Sequence, residues 1–466
     1  MLMPVRRIAA NAALCFLLVP HGAGAQVVTT LAGSGAHGSA DGTGTAATFY
    51  TPQGLAVDSS GNVYVADKFS NKIRKITPEG EVTTFAGSGS LGSDDGPAAA
   101  ATFFYPYGVA VDLSRNVYVA DTYNYKIRAI TPAGVVSTLA GTGESGDDNG
   151  PGAAATFSWA VGVAADSSGN VYVADSGSNT IRKITPAGVV STLAGSGAGG
   201  SADGPGDEAT FSEPSGVAVD SSGNVFVADT DSNKIRKITA GGAVTTLAGS
   251  GASGSADGTG AAATFTNPFG VAVDSSQNVY VADSGNNKIR KITPAGVVST
   301  LAGSGAYGGA DGIGAAATFY TPTGVAVDSS GTVYVADSGN NKIRKITQPP
   351  GPCVQDAFTA CLINGRYKVT SHWQNQYDDG KVSQLSAAPL TDATAAFWLS
   401  DADTYEYLIR INTATDNGKA WISIPTFTDV EFWIAVTDTS TGQYFEYHSD
   451  AGNRTLIYDP YFFVYP

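Results

Sequence analysis

Short runs of alternating apolar and polar residues, separated by turn-forming residues, fill most of the chain. One stretch reads GVAVD (270–274), VYVAD (279–283), KIRKIT (288–293) and VVSTLAG (297–303), with SSQN, SGNN and PAG between the runs. Runs of this length that are rich in β-branched residues predict β-strands, and the intervening Gly, Asn and Pro predict tight turns. The pattern therefore predicts four consecutive antiparallel strands.

The four-strand pattern recurs at a constant spacing. Its second run ends each time in an aspartate: Asp67, Asp121, Asp175, Asp229, Asp283 and Asp337. Successive aspartates are 54 residues apart, and the fifteen residues at 279–293 return unchanged at 333–347. A fixed period of this size indicates a solenoid or a propeller, and four antiparallel strands per unit are typical of a propeller blade. We predict an all-β fold.

The sixth copy of the pattern is incomplete. It runs into QPPGP (348–352) where its fourth strand is expected, whereas a matching sequence, VVTTLAG, stands at 27–33. An unpaired strand edge invites association with other chains, and pairing the two ends of the repeat removes that edge. We infer a six-bladed β-propeller over residues 26–347 that its N-terminal strand closes.

A Gly-rich loop separates each fourth strand from the next first strand, as in GSGASGSADGTGAAATFTNP (249–268). Structureless loops of this length are uncommon inside a compact domain. We therefore expect ordered loops, with Asp257 capping a short helical turn. One phenylalanine per loop is expected to pack between neighbouring blades: Phe49, Phe103, Phe157, Phe211, Phe265 and Phe319.

The repeated unit resembles the blades of NHL-repeat propellers. These blades carry the same P-x-G-h-A-h-D, h-Y-V-A-D and N-x-h-R sequence, where h is an apolar residue. The resemblance extends over nearly all of residues 27–347. It implies the six-bladed fold.

Enzymes related to this fold, among them amidating lyases, streptogramin lyases and gluconolactonase-like proteins, hold His or carboxylate ligands around the propeller channel. The inner strands here read GLAVD, GVAAD or GVAVD, and the single propeller histidine, His37, falls in a loop. The Ser and Thr residues have no histidine partner for a catalytic triad. We predict no enzyme, no catalytic residue and no cofactor; a lactonase or lyase with a metal in the channel is the alternative.

Residues 353–466 form a second predicted domain of different composition. They hold four of the five tryptophans and lack the 54-residue period. Runs such as RYKVTSHW (366–373) and VEFWIAVTD (430–438) predict a small antiparallel β-sandwich. The proline-rich segment 348–352 is its linker. The domain is similar to a C-terminal module that ends many exported bacterial proteins.

The first 25 residues have the features of a secretory signal. Arg6 and Arg7 precede an apolar run over 8–20, and AGA (23–25) precedes Gln26. Cleavage after Ala25 predicts a secreted or periplasmic protein, and no later run approaches the roughly 20 apolar residues of a membrane span. The oxidising compartment favours a disulfide between Cys353 and Cys361.

Charge narrows the classes of partner. The formal net charge of -15 becomes -17 once the two signal arginines are removed, which disfavours nucleic acid and anionic membranes. Sixteen of the 26 basic residues fall in third strands such as KIRKIT. A polyanion-binding belt is one interpretation; we favour long side chains that cover a blade flank, with Arg paired to nearby Asp.

The acidic residues suggest a metal only weakly. Asx-type turns explain the second-strand aspartates without a metal ring. The loop aspartates that precede Gly lack the ligand spacing of a calcium loop; they are Asp41, Asp95, Asp203, Asp257 and Asp311, with Asn149 in the third copy. SDDG (93–96) and GDDNG (146–150) are candidates for weak Ca²⁺ binding, and we predict no metal site.

Departures from the repeat concentrate on one predicted rim, where the long loops meet the turns after the second strands. There the second copy is aromatic where other copies mostly have Ser, Gly, Thr or Asn. Rim aromatics are typical of binding hot spots and sugar platforms, although some could instead pack beneath the loop. The predicted binding residues are Phe69, Phe104, Tyr105, Tyr107, Tyr123, Tyr125, Trp159 and Phe269. We expect a monomeric, non-enzymatic protein that binds a protein or glycan ligand through this rim.

Overall fold

The computed structural model describes residues 26–347 in full and, beyond them, ten strands between residues 359 and 459 by their backbone. Gln26–Gln348 forms one compact unit, and the strands beyond it belong to another. The first unit is a six-bladed β-propeller without α-helices in its described residues. Among the described residues, no helix has the length and apolar character that crossing a membrane requires.

Each blade contains four antiparallel strands, A to D from the central channel outward. The A strands of blades 1 to 6 are Pro52–Val57, Val109–Val111, Ala160–Ala165, Pro214–Val219, Pro268–Val273 and Pro322–Val327. The B strands are Val63–Asp67, Val117–Asp121, Val171–Asp175, Val225–Asp229, Val279–Asp283 and Val333–Asp337. The C strands are Lys72–Ile76, Lys126–Ile130, Thr180–Ile184, Lys234–Ile238, Lys288–Ile292 and Lys342–Thr347. The D strands of blades 1 to 5 are Glu81–Ala86, Val135–Ala140, Val189–Ala194, Val244–Ala248 and Val297–Ala302.

The D position of blade 6 is occupied by Val27–Ala32, which pairs antiparallel with Lys342–Thr347. The same strand pairs on its other side with Gly312–Ile313 in the long loop before blade 6. The first strand of the propeller thus contributes to its last blade.

The long loops add a short fifth strand to the outer edges of the sheets. These two-residue strands are Gly42–Thr43, Gly96–Pro97, Gly150–Pro151, Gly258–Thr259 and Gly312–Ile313, with a single bridge from Gly204 to Val244 in blade 4. Each pairs with the D strand of the blade that the loop is about to enter. Because an unpaired D strand would be an exposed edge, the loops reduce the tendency of the blades to associate.

Single 3₁₀ turns are the only helical elements in residues 26–347. Three lie in the long loops: Gly44–Ala46, Gly260–Ala262 and Gly314–Ala316. Five follow B strands: Lys68–Ser70, Thr122–Asn124, Ser176–Ser178, Ser284–Asn286 and Ser338–Asn340. The prediction that Asp257 caps a helical turn is wrong, because the turn at Gly260–Ala262 has no side-chain cap and Asp257 pairs with Arg290 instead.

Six apolar clusters form the core of the propeller, one between each pair of neighbouring blades. In the cluster between blades 4 and 5, Phe265 is fully buried and packs with Phe226 of blade 4 and Val279 of blade 5. This confirms the predicted role of the loop phenylalanines. The apolar core of the propeller therefore lies between neighbouring blades.

The second unit contains two antiparallel five-stranded sheets. One consists of Thr359–Leu362, Tyr367–Gln374, Val382–Gln384, Glu431–Asp438 and Tyr444–Ser449. The other consists of Ser386–Thr391, Thr394–Trp398, Tyr407–Thr413, Ala420–Pro425 and Leu456–Asp459. Their arrangement as a sandwich stays a prediction. The signal segment, the linker and the predicted disulfide lie outside the residues whose side chains are described.

Candidate functional site

One arginine from each C strand is completely buried: Arg74, Arg128, Arg182, Arg236, Arg290 and Arg344. In blade 5, Nη1 of Arg290 donates to Asp283 Oδ2 at 2.7 Å, and Nη2 donates to Asp257 Oδ1 at 2.7 Å. The guanidinium also donates to the carbonyl oxygens of Thr264 and Ala256 in the loop, and it lies 5.2 Å from the ring centroid of Phe265. The arginine therefore fixes the Gly-rich loop against its blade, which explains why so long a loop is ordered.

The two aspartates of each network differ in environment. Burial raises the pKa of the fully buried Asp283, although the Thr266 N–H and Arg290 oppose it. In blade 3, burial raises the pKa of Asp175 to about 7. Burial would also raise the pKa of the half-exposed Asp41, but the hydrogen bonds from Arg74 and Thr84 outweigh it and hold that pKa below its usual value.

These networks correct two sequence interpretations and give the loop aspartates a structural role. The KIRK arginines do not cover a blade flank, because they are buried, although their pairing with Asp is confirmed. The B-strand aspartates do not form Asx-type turns; Asp283 accepts the N–H of Thr266, 17 residues earlier, as well as the arginine. The loop aspartates serve as second partners of the arginines. Residues 26–347 contain no group of three or more His, Cys, Asp or Glu that could hold a metal.

The channel along the propeller axis is narrow and mostly apolar. The six A strands approach each other at glycines, and a Cβ on Gly54 would lie 2.6 Å from the carbonyl oxygen of Tyr107 in the next blade. The cavity measures about 60 Å³, whereas pockets for drug-sized ligands span roughly 300–1,000 Å³. The residue before each of these glycines also lines the channel: Gln53, Tyr107, Val161, Ser215, Phe269 and Thr323.

This ring of six residues was missed by the sequence analysis, which started the inner strands at the glycine. The inner-strand sequences GLAVD, GVAAD and GVAVD leave this position out, and they therefore do not show that the polar residues Gln53, Ser215 and Thr323 line the channel. The signal was present, because the position before this glycine differs in all six copies, while the glycine is constant and the residue before the position is Pro in five of the six.

Two kinds of hydrogen bond link neighbouring blades on the predicted rim. In the hydroxyl link, the Ser or Thr after the B strand donates to a backbone carbonyl at the start of the next A strand. Its donors are Thr122, Ser176, Thr230, Ser284 and Ser338. Blade 1 has Lys68 at this position, so the junction between blades 1 and 2 lacks the link.

In the amide link, an Asn side chain accepts the N–H of a loop residue of the next blade and donates to a loop glycine. The five asparagines are Asn71, Asn179, Asn233, Asn287 and Asn341. All five lie in the left-handed region of the backbone, with φ between 51° and 54°. Tyr125 replaces Asn in blade 2 and keeps φ at 52°, so the junction between blades 2 and 3 lacks the amide link.

The two junctions that each lack one link carry a continuous chain of aromatic rings, which we call the aromatic patch. Its members are His37, Tyr50, Phe69, Phe104, Tyr105, Tyr123 and Trp159, with neighbouring centroids 4.5 to 5.1 Å apart. None of these side chains is fully buried. The patch spans the loops entering blades 1 to 3 and the turns after two B strands. Its rings are therefore both packed together and accessible.

Lys68 lies at the edge of the aromatic patch. Its Nζ donates to the Tyr107 hydroxyl at 2.6 Å and lies 4.6 Å from the centroid of Phe69 and 4.4 Å from that of Tyr107. Burial lowers the pKa of Lys68, and Tyr105 partly opposes this shift. The patch thus combines aromatic faces with one cationic group.

The predicted binding residues fall into two groups. Phe69, Phe104, Tyr105, Tyr123 and Trp159 come together in the aromatic patch, and Tyr107 adjoins it through Lys68. Tyr125 makes none of the patch contacts and Phe269 lies across the channel mouth. The sequence analysis missed Tyr50 and Lys68, although each differs from its counterparts in most other copies.

Five segments of the chain match a known repeat family. The NHL repeat profile matches residues 49–75, 157–184, 211–238, 265–292 and 319–346. These blades carry NHL repeats. Each matched segment begins at the loop phenylalanine that packs between blades and continues through strands A and B into strand C, which carries the buried arginine. The profile therefore covers residues that pack around that arginine.

The curated relatives are much longer than the matched region. Protein SUPPRESSOR OF QUENCHING 1, chloroplastic, of Arabidopsis thaliana is 32% identical over 329 residues, which cover 68% of this chain and 27% of that protein. Teneurin-3 of Danio rerio is 26% identical over 504 residues, 91% of this chain and 18% of that protein. NHL repeat-containing protein 2 of Bos taurus is 33% identical over 149 residues, 29% of this chain and 20% of that protein. The chain therefore spans only a small part of each relative.

Solved structures share the fold at low identity. A protein of unknown function from Bacteroides thetaiotaomicron superposes with a TM-score of 0.55 at 21% identity, covering 69% of this chain and 76% of that one. An auxiliary nutrient binding protein from the same organism gives a TM-score of 0.54 at 18% identity, with the same coverage. At these identities, the similarity shows the fold alone.

Proposed function

We propose that the propeller is a non-enzymatic binding domain that presents its aromatic rim to a protein or glycan ligand. The observation that carries this proposal is the coincidence of the aromatic patch with the two junctions that lack a link. Keeping Tyr125 in a left-handed conformation costs about 1–2 kcal/mol, and exposing clustered rings reduces solubility. Selection for a binding surface accounts for both costs, whereas the regular blades have Asn at the position of Tyr125, and Asn tolerates this conformation better.

The geometry of the channel supports a binding role rather than the lactonase or lyase alternative. Its cavity of about 60 Å³ is lined by glycine, aliphatic, aromatic and uncharged polar residues. A fold neighbour named as an auxiliary nutrient binding protein agrees with this class of function. The rim, not the channel, is therefore the proposed ligand site.

The proposal extends to features at the two ends of the chain. We propose export from the cell after cleavage behind Ala25, a Cys353–Cys361 disulfide and a β-sandwich fold for residues 353–466. We also propose that the pairing of Val27–Ala32 with blade 6 keeps the ring closed in solution. Support comes from the signal-like sequence at 1–25, the two-sheet topology and the strand register.

The test is a variant in which DTYNYK (121–126) of blade 2 becomes the DSGNNK of blade 5. This blade-two variant carries Thr122→Ser, Tyr123→Gly and Tyr125→Asn. We expect it to fold, because the same turn exists in blades 5 and 6, and to lose the partner that the wild type recovers by pull-down from envelope and medium fractions. Equal recovery by both proteins, at equal melting temperature, would overturn the proposal.

A further inference from the structure

A second feature of the same rim is a depression of about 390 Å³ at the channel mouth, which we call the rim depression. It extends from the channel toward blades 5 and 6, away from the aromatic patch. The side chains that matter for its chemistry are Gln53, Tyr107, Asn267, Phe269, Tyr307 and Thr321. Its volume falls in the range of about 300–1,000 Å³ that is usual for small-molecule sites.

The walls of the rim depression contain no charged side chain, although the propeller is rich in aspartate. The polar groups are amides and hydroxyls, which can both donate and accept hydrogen bonds. A charged ligand would find no opposite charge there and would lose part of its hydration on entry. The lining therefore favours a neutral ligand.

Gln53 has unused hydrogen-bonding capacity. Its side chain is only 7% exposed, and it makes no hydrogen bond to any residue that the structure describes. Two hydroxyl-bearing residues that also line the channel differ from Gln53, because Ser215 hydrogen-bonds Thr230 and Thr323 donates to the backbone carbonyl of Gln53. The amide atoms of Gln53 remain accessible to solvent, so the hydroxyl groups of a ligand can replace water as their hydrogen-bond partners.

Aromatic faces complete the rim depression. Phe269 and Tyr107 come from blades on opposite sides of the channel, while Tyr307, 76% exposed, stands on the loop before blade 6 against Tyr320. A ligand with an apolar C–H face and hydroxyl groups around its edge matches this combination of flat rings and uncharged hydrogen-bonding groups.

We propose that the rim depression binds a neutral saccharide, with Gln53 bonding its hydroxyl groups and Phe269 packing against a sugar face. This inference rests on the proposed binding function of the rim and specifies a ligand class for one part of it. The volume accommodates a disaccharide, and a longer chain would continue over the rim toward the loops.

The experiment is isothermal titration calorimetry of the full chain with maltose, cellobiose and N,N′-diacetylchitobiose, and with digalacturonic acid as the charged comparison. Two variants replace the residue before the channel glycine by the one that another blade has at the same position. They are Gln53→Val, as in blade 3, and Phe269→Ser, as in blade 4. We expect at least one neutral disaccharide to bind, Gln53→Val to weaken it about fivefold through the lost hydrogen bond, and Phe269→Ser about tenfold or more. The blade-two variant should bind the sugar as the wild type does.

Three results would overturn the inference: no binding of any neutral disaccharide at millimolar concentration, tighter binding of digalacturonic acid, or unchanged affinity in both ring variants at wild-type melting temperature. These outcomes leave the pull-down with the blade-two variant to decide the proposed function separately. A fourth result would also reject the rim depression: if the blade-two variant alone loses sugar binding, the sugar binds at the aromatic patch.

Discussion

Blades 4 to 6 and blades 1 to 3 share one internal architecture but differ on their rims. The junctions after blades 3, 4, 5 and 6 carry both the hydroxyl link and the amide link, whereas those after blades 1 and 2 each lack one. The buried arginine, the phenylalanine plug and the channel glycine are present in every blade. The shared interior therefore specifies the blade, and the rim is free to vary from blade to blade.

The largest expected effect concerns the regular junction between blades 6 and 1. Deleting residues 26–49 removes the D strand of blade 6 and the plug Phe49, so an open edge and aggregation are expected. Size-exclusion chromatography and thermal melting measure this. Adding PAGVVTTLAG after Thr347 to the truncated chain should restore part of the monomer. A truncated protein that stays monomeric with unchanged melting temperature would show that the strand is not needed for closure.

The second prediction tests whether the interiors of the two regions are equivalent. Arg128→Met in blade 2 and Arg290→Met in blade 5 each leave two aspartates without their cation. Each should destabilise the propeller by about 3–5 kcal/mol, the usual cost of breaking a buried ion pair from one side. Chemical denaturation measures both. A difference of more than about 2 kcal/mol between them would break the comparison, because the blades would then differ inside as well.

The third prediction exchanges the amide link between the two regions. Asn287→Tyr in blade 5 should lower the free energy of unfolding by about 2 kcal/mol. Tyr tolerates a φ near 51° less well than Asn, and both hydrogen bonds of the amide link disappear. The reverse change, Tyr125→Asn, should stabilise by about 1 kcal/mol. If Tyr125→Asn destabilises the protein instead, the tyrosine contributes to folding and its assignment to binding is wrong.

The smallest expected effect comes from Lys68→Ser, which restores the hydroxyl link between blades 1 and 2 and should stabilise by about 0.5–1 kcal/mol. Burial lowers the pKa of Lys68 below 10.5 in the folded protein. Between the two pKa values, the unfolded chain binds more protons, so the wild type gains stability as the pH rises through that window. The advantage of Lys68→Ser should therefore shrink as the pH approaches 10.5. An advantage that grows with pH would contradict the burial of Lys68.

Local pattern was sufficient to predict the blade. The 54-residue period, the strand order and the role of Phe265 follow from residues close together in the chain. The burial of Arg290 could not be predicted in the same way, since isolated charges are normally exposed. Its second partner, Asp257, lies 33 residues earlier, and only the folded loop brings the two together.

Only part of the candidate site could be predicted, because some of its residues meet only in the folded chain. Substitutions between copies identified Tyr105, Tyr123 and Trp159, which do meet on the rim. Lys68 contacts Tyr107 of the next blade, and Gln53 lines the rim depression together with residues of other blades; a comparison of single copies shows neither. Aligning the six copies column by column would have marked both positions, but not their neighbours across the ring.

The pairing of Val27–Ala32 with Lys342–Thr347 has a consequence for the time course of synthesis. The strand leaves the ribosome before the rest of the propeller, yet its partner is completed 315 residues later, counted from Ala32 to Thr347. At about 5–20 residues per second, this delay lasts roughly 15–60 s. During that time, the D strands of earlier blades, such as Val135–Ala140, offer nearly the same sequence as the waiting strand. The growing chain must therefore avoid pairing the C strand of an early blade with the D strand that belongs to blade 6. The rate of elongation thus helps to determine the yield of closed rings.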